Sequence, residues 1–388
     1  MRLDRLEAAS GTIVGRGPPA VLPDTDLSAR AALEHVVRTA LERPPCVVAF
    51  SGGRDSGAVL ALATHVARRD GLPPPVPVSA VFPAYAETNE NDWQELIVRH
   101  LGLAEWSRRD ATDELDVLGP LARHGLRRHG LQWPPNAQLV SLVARDARDG
   151  TVLTGFDGDG LFDERRWWRA VGLLGRTARP TLRDLPAVAL ALSPAAVKSR
   201  ALRRRVDPGP PWLLEAARSS VESRTLADAA GEPLQWRPFV GWYAASRYVR
   251  LTTEAASSFA ADHGARLVQP FADPLVLAAL AGNGTRFGYP DRVTALTSLV
   301  GDLLPPAVIE REEKADFTRA MFGPAGRAFA ASWAGEGAPL DLVDPELLRR
   351  EWLAQAPDFA SWPALQACWL AAERGVGFDG ALEPCRSG

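Results

Sequence analysis

The run Ser51-Gly-Gly-Arg-Asp-Ser-Gly57 gathers the residue types that hold a phosphate. Gly52 and Gly53 remove side chains where an anion's oxygens must come close. Ser51 and Ser56 offer hydroxyl donors, and Asp55 offers a carboxylate for a magnesium ion that carries phosphates. No lysine follows, so this is not the G-x-x-x-x-G-K-[ST] loop. Further along, Asp157 and Asp159 lie in a second glycine-and-acid stretch, Gly155-Phe-Asp-Gly-Asp-Gly160. Lysine itself is scarce: of 44 basic residues only Lys198 and Lys314 are lysines. In such a chain a lysine either marks a place where a compact ammonium is needed or is an ordinary surface residue.

These groups need elements to position them. Apolar residues at Leu27, Ala31, Val36, Ala40 and Leu41 predict an amphipathic helix over 26–42, stopped by Pro44 and Pro45. Residues 46–50, Cys-Val-Val-Ala-Phe, read as a buried parallel strand. The Ser51–Gly57 run and an alanine- and leucine-rich helix follow it directly. A glycine turn between strand and helix aims backbone N–H groups and the positive end of the helix dipole at an anion. Strands are expected again at 76–82 and 151–154, and helices at 91–101 and 136–147. Alternating elements through about residue 165 predict an α/β fold with a parallel, doubly wound nucleotide-binding sheet. Beyond that point alanine- and leucine-rich helical patterns take over, with arginine and tryptophan. The expected organisation is an irregular lead-in over 1–25, a nucleotide-binding α/β core over 26–165 and a mainly helical portion over 166–388. Residues 205–212 form the clearest breaker.

Composition narrows the function classes. A charged fraction of 23% and a hydrophobic fraction of 46% are those of an ordinary globular protein. A net charge of -3 gives no global attraction to nucleic acid or to an anionic membrane. Cys46, Cys368 and Cys385 are too few and too widely spaced for a disulfide framework, and a cytoplasmic location is expected. The N-terminus lacks the apolar core of a signal peptide, and the apolar stretch 185–197 contains prolines and is too short to span a bilayer. The six histidines show no ligand spacing for zinc. Arg165-Arg-Trp-Trp-Arg169 and Arg203-Arg-Arg205 are either helix faces dressed in arginine and half-buried tryptophan or a cradle for a peptide or an acidic leader.

The S-G-G-x-D-S pattern resembles the PP-loop of enzymes that cleave ATP between the α and β phosphates. A tight serine-capped turn does not account for six matching positions. Three further segments resemble asparagine synthetase and its relatives, in the same order. They are the acidic run up to Glu90 with Leu101-Gly-Leu103, the segment Val152–Phe162, and Pro270-Phe-Ala-Asp273 with Leu303-Leu-Pro305 and Arg311-Glu-Glu-Lys-Ala-Asp-Phe317. Together they span about residues 27 to 325. The resemblance implies an ATP- and magnesium-dependent ligase that adenylates a carboxylate and couples it to an amine. It implies Asp55 and Asp159 as metal-binding carboxylates, and Thr154 and Gly155 beside the nucleotide. Phe50 and Val81 would flank adenine, Arg311 would assist with the phosphates, and Lys314 would stabilise the oxyanion formed when the amine attacks.

Two departures qualify this. The family places a glutamate or tyrosine after the glycine matching Gly155, as an acid–base group; here Phe156 stands there and transfers no proton. Either Asp157 substitutes, or the amine arrives differently, or the second half-reaction is altered. Secondly, about forty residues precede the first strand, and the sequence shows no glutaminase. The expected nitrogen source is ammonia, an amine on the substrate, or a partner's delivery. Relatives that dispense with glutamine include β-lactam synthetase and lasso-peptide cyclases. The expected substrate is therefore a small-molecule or peptide carboxylate, with a precursor peptide and a leader-binding or protease partner in the lasso-type case. A tRNA-modifying PP-loop enzyme and a catalytically degenerate binding protein are the competing readings.

Overall fold

The computed structural model describes residues 1–388 apart from 163–164, 182–183, 206–208, 312–314, 316 and 384–388. Five strands, Cys46–Ala49 (β1), Val76–Val81 (β2), Ser107–Asp110 (β3), Thr151–Thr154 (β4) and Arg266–Val268 (β5), form one sheet in the order β3-β2-β1-β4-β5. Every pairing is parallel. Helices cover both faces, as a parallel sheet requires, and the chain is an α/β protein of the nucleotide-binding kind. Apolar β1 is central. Its last residue, Ala49, stands opposite Thr154, the last residue of β4. The strand order reverses between these two strands, so their carboxyl ends open onto the crevice where doubly wound sheets bind ligands.

The helix Ala29–Leu41 starts at Ser28, whose hydroxyl accepts from the Ala31 amide at 3.1 Å. It packs with Arg54–Asp70 and Pro274–Asn283 over one face of the sheet, around Leu33, Val37, Leu60, Val276 and Leu280. Asp273 caps the last of these helices by accepting from the Leu275 amide at 2.8 Å. A smaller cluster, including Val47, Val78, Val152 and Val143, fills the other face.

Several elements differ from expectation. Residues 136–147 form a short α-helix, Val140–Ala144, between two 3-10 turns rather than one continuous helix. The edge strands β3 and β5 carry no clear strand signal: β3 reads Ser-Arg-Arg-Asp, and β5 has three residues. Tertiary partners hold β3, since Arg109 pairs with Asp146 at 2.6 Å and the Trp106 indole donates to Ser79 Oγ at 2.9 Å. The lead-in holds a helix, Arg5–Ser10, with a capping box in which Asp4 and Glu7 each accept the other's amide at 2.8 Å. That helix joins a second core rich in tryptophan, where the Trp212 indole donates to the Ala9 carbonyl at 2.9 Å. Trp352 and Trp362 lie buried in the same cluster. Among the described residues no helix is long and apolar enough to cross a membrane.

Candidate active site

Two loops leave the sheet side by side, and glycine lets them touch. Gly52 has φ 87°, and a side chain there would meet Gln94 Cγ at 2.8 Å. A methyl group at Gly155 would sit 2.5 Å from the Ser56 amide nitrogen, and one at Gly158 would sit 2.5 Å from the Asp55 carboxyl carbon. The turn after β4 therefore rests directly on the turn after β1. The two line one cavity of about 550 Å³.

On the β1 side, Ser51, Gly53, Arg54, Asp55 and Ser56 face the cavity. Gly53 caps the helix Arg54–Asp70 without a side-chain hydrogen bond, which leaves the helix N-terminus to an incoming anion. The two serine hydroxyls lie 3.1 Å apart, and each also bonds within the loop: Ser51 Oγ accepts from the Gly53 amide at 3.3 Å, and Ser56 Oγ donates to the Gly53 carbonyl at 3.2 Å. They shape the turn as well as presenting donors. From a distant segment, Arg311 donates to the Gly52 carbonyl at 3.0 Å and pairs with Glu90 at 2.6 Å. Glu90 also accepts the Ala315 amide at 2.9 Å. Arg311 lines the cavity while fastening the loop to the segment that follows it in sequence.

Acidic groups occupy the centre. Asp55 accepts from Arg292, yet its Oδ1 is buried without a hydrogen-bond partner among the described residues. Burial pushes its carboxyl up to about 6; Arg292 opposes the shift and nearby Asp159 adds to it. Asp157 has φ 76°, is 2% exposed, and accepts a hydrogen bond from the Tyr243 hydroxyl. Burial raises it to about 7 against the Tyr243 hydrogen bond, with Asp159 and Asp55 reinforcing the rise. Its Oδ2 also has no hydrogen-bond partner among the described residues. Such under-satisfied, charge-crowded carboxylates suit a cation. Two carboxylates with substrate phosphates are the donor set that magnesium takes, so Asp55 and Asp159 fit it, although no group of three or more His, Cys, Asp or Glu is placed for a metal among the described residues.

The remaining expected residues fall in several places. Thr154 and Gly155 line the cavity, and Thr154 Oγ1 accepts from the Phe156 amide at 3.3 Å. Phe50 is buried in the core, its amide donating to Val78 at 2.9 Å and its carbonyl accepting from Ser79 at 2.6 Å. The Val81 carbonyl accepts from Ala111 at 2.8 Å. Neither Phe50 nor Val81 lines the cavity; Ala49 does. Lys314 lies outside the described residues, between the cavity-lining Arg311 and Ala315. The other lysine, Lys198, is buried with Nζ 5.0 Å from the Trp167 ring centre, and burial lowers its pKa.

Sequence reasoning missed Arg292, Tyr243 and Tyr248. Tyr248 stacks on Phe156 with ring centres 6.4 Å apart. These three residues sit 85 or more positions from their partners, in stretches with no motif of their own, and nothing local announces them. Glu90 lay within a segment already singled out, but its pairing with Arg311 is a tertiary fact.

No curated protein matches the sequence. A family model for asparagine synthase matches residues 28–371, a span that takes in all five strands and both cavity-forming turns. The chain belongs to the asparagine synthase family and is an ATP-dependent carbon–nitrogen ligase.

Proposed function

We propose that the chain cleaves ATP to AMP and pyrophosphate by adenylating a carboxylate, then couples the acyl group to an amine. The observation that carries this reading is the contact of the phosphate-type turn at Gly52–Ser56 with the acidic turn at Gly155–Asp159. In the first step a carboxylate oxygen attacks the α-phosphorus and pyrophosphate departs. The uncapped helix end at Gly53 and the guanidinium groups of Arg54 and Arg292 bear its charge. Magnesium would be held by Asp55 and Asp159. When bound, it supplies further neutralisation of the leaving group. In the second step the amine nitrogen attacks the acyl carbon, AMP leaves, and the amine loses a proton. We assign Lys314 as the ammonium that faces the developing oxyanion, and Asp157, in place of the missing acid–base residue at Phe156, as the group beside the departing proton.

The substrate in this reading is a specialised metabolite or peptide that carries its own amine, so that the product is a macrolactam of the lasso type. Phe156 and Tyr248, with ring centres 6.4 Å apart, both line the cavity and give the acidic turn an apolar flank that such a substrate would cover. Isotope exchange between pyrophosphate and ATP, dependent on carboxylate and magnesium, tests the first step. Release of ADP and phosphate instead would overturn it.

A further inference from the structure

Residues 165–205 hold eleven basic residues and a single acid, Asp184, in a chain whose net charge is -3. The segment alone is thus about ten charges positive, and the rest of the chain is correspondingly acidic. Asp184 is already taken by Arg169, whose two nitrogens donate to it at 2.7 Å. Arg166, Arg176, Arg200 and Arg203 to Arg205 are exposed.

Apolar side chains stand among these charges without cover. Leu185 is 65% exposed, Leu192 61%, Val197 51% and Trp168 50%. They lie on three consecutive short helices, Trp168–Leu174, Leu185–Leu192 and Ala195–Leu202, of which the middle one packs on the other two. Trp168 also forms part of the wall of a second cavity, of about 470 Å³, whose other walls include Phe162, Arg165, Phe287 and Tyr289. A side chain at Gly288, where φ is 87°, would collide with the Trp236 indole, so this glycine lets the indole close the floor. Arg54 and Arg292 line this cavity and the catalytic cavity alike. Trp168 thus belongs both to the exposed apolar side chains of this basic stretch and to an aromatic pocket that shares Arg54 and Arg292 with the cavity at the phosphate-type turn.

Resting on the ligase reading of the adjoining cavity, we propose that the described residues of the 165–205 stretch and this pocket bind an acidic, apolar peptide segment of the substrate. Acidic side chains meet the exposed arginines, and a bulky apolar side chain fills the pocket beside Trp168. The reacting end of the peptide then lies toward Arg54 and Arg292. A bilayer would meet the arginines but would not enter a concave pocket. A nucleic acid would leave Leu185 and Leu192 without a partner.

The test uses the full chain and a short fluorescein-labelled peptide of glutamate, leucine and phenylalanine, followed by anisotropy. Binding should saturate, weaken as salt rises, and vanish for the same peptide with lysine in place of glutamate. The triple variant R203E/R204E/R205E and, separately, Trp168→Ala should each weaken binding by roughly tenfold or more. Both should melt and bind ATP as the parent does, which separates lost docking from lost folding. Undiminished binding in the triple variant overturns the proposal. So does equal binding of the lysine peptide, or capture of phosphatidylglycerol vesicles or polyuridylate but not the acidic peptide. A protein that binds the peptide yet shows no pyrophosphate exchange would overturn the ligase reading and leave the docking surface standing.

Discussion

Arg292 donates through Nη2 to Oδ2 of Asp55, joining the first turn of the helix Arg54–Asp70 to the first residue of the helix Arg292–Val300. Their side chains are 12% and 13% exposed, so the pair is largely desolvated. The carboxylate that the sequence marks for magnesium is balanced here by an arginine, and a metal ion would share it. Removing one partner of a buried pair costs about 3–5 kcal/mol because the other charge is left uncompensated. Arg292→Met should therefore lower the melting temperature, and magnesium should restore more of it in the variant than in the parent. Equal magnesium responses in calorimetry would count against Asp55 as a metal-binding residue.

Asp55→Asn and Asp159→Asn each remove a full charge from the site while conserving size. Pyrophosphate exchange should fall by roughly a hundredfold or more in each, on the scale of losing one preorganised electrostatic group. The double variant should fall little further if both act through one ion. Near-parent exchange in either single variant would place the metal elsewhere.

Asp157 makes stability pH-dependent in a stated direction. Its folded carboxyl holds a proton up to about 7, while an unfolded aspartate releases it at about 4. Between these values the folded state binds the extra proton, so stability falls as pH rises through the window and the loss is complete above it. Asp55, raised to about 6, contributes with the same sign over a narrower range. Asp157→Asn should flatten the curve, with the variant gaining on the parent from pH 4 to pH 8 in thermal melts. Tyr243→Phe removes the hydrogen bond that holds Asp157 down and should carry the decline to higher pH. Parallel curves for parent and Asp157→Asn would show that the carboxyl titrates normally.

Lys314 and Phe156 separate the two half-reactions. If Lys314 faces the oxyanion, Lys314→Ala should slow amide formation by about a hundredfold or more and adenylation much less. Lys314→Arg should rescue only in part, because the guanidinium is broader and planar. Phe156→Glu, by contrast, supplies an acid–base group and should raise ammonia-dependent amide formation. Measuring pyrophosphate exchange and amide product in the same samples distinguishes these outcomes; unchanged rates in Lys314→Ala would make it an ordinary surface lysine.

The glutamate at position 7 ties the N-terminal helix to the tyrosine-bearing helix. Glu7, 2% exposed, accepts from Arg247 at 2.6 Å through both oxygens, and Arg247 directly precedes Tyr248. Glu7→Gln should destabilise the chain by about 3 kcal/mol, since it removes the charged group that both Arg247 nitrogens meet. Denaturant titration checks this, and a loss within error would show the pair to be immaterial.

What the sequence determined alone is local. Cys46–Ala49 and Thr151–Thr154 are apolar enough to be buried parallel strands, and Gly52, Gly53, Gly155 and Gly158 mark turns where backbone must come close. Strand periodicity and glycine geometry act over a few residues, so they can be read in order along the chain. The polar edge strand Ser107–Asp110 could not be read so, because only its pairing with Val76–Val81 makes it a strand. Nor could the irregular reading of the first residues anticipate that Arg5–Ser10 packs into the tryptophan core. The partners of the acidic centre are of the same kind. Arg292 meets Asp55 across 237 positions, Tyr243 meets Asp157 across 86, and Arg311 reaches the Gly52 carbonyl across 259. Each is a single side chain whose contact depends on how helices pack over the sheet, and a lone charged or hydroxyl group leaves no periodic trace in sequence. Tertiary packing alone decided which side chains face Asp55 and Asp157, and hence how those carboxylates hold their protons.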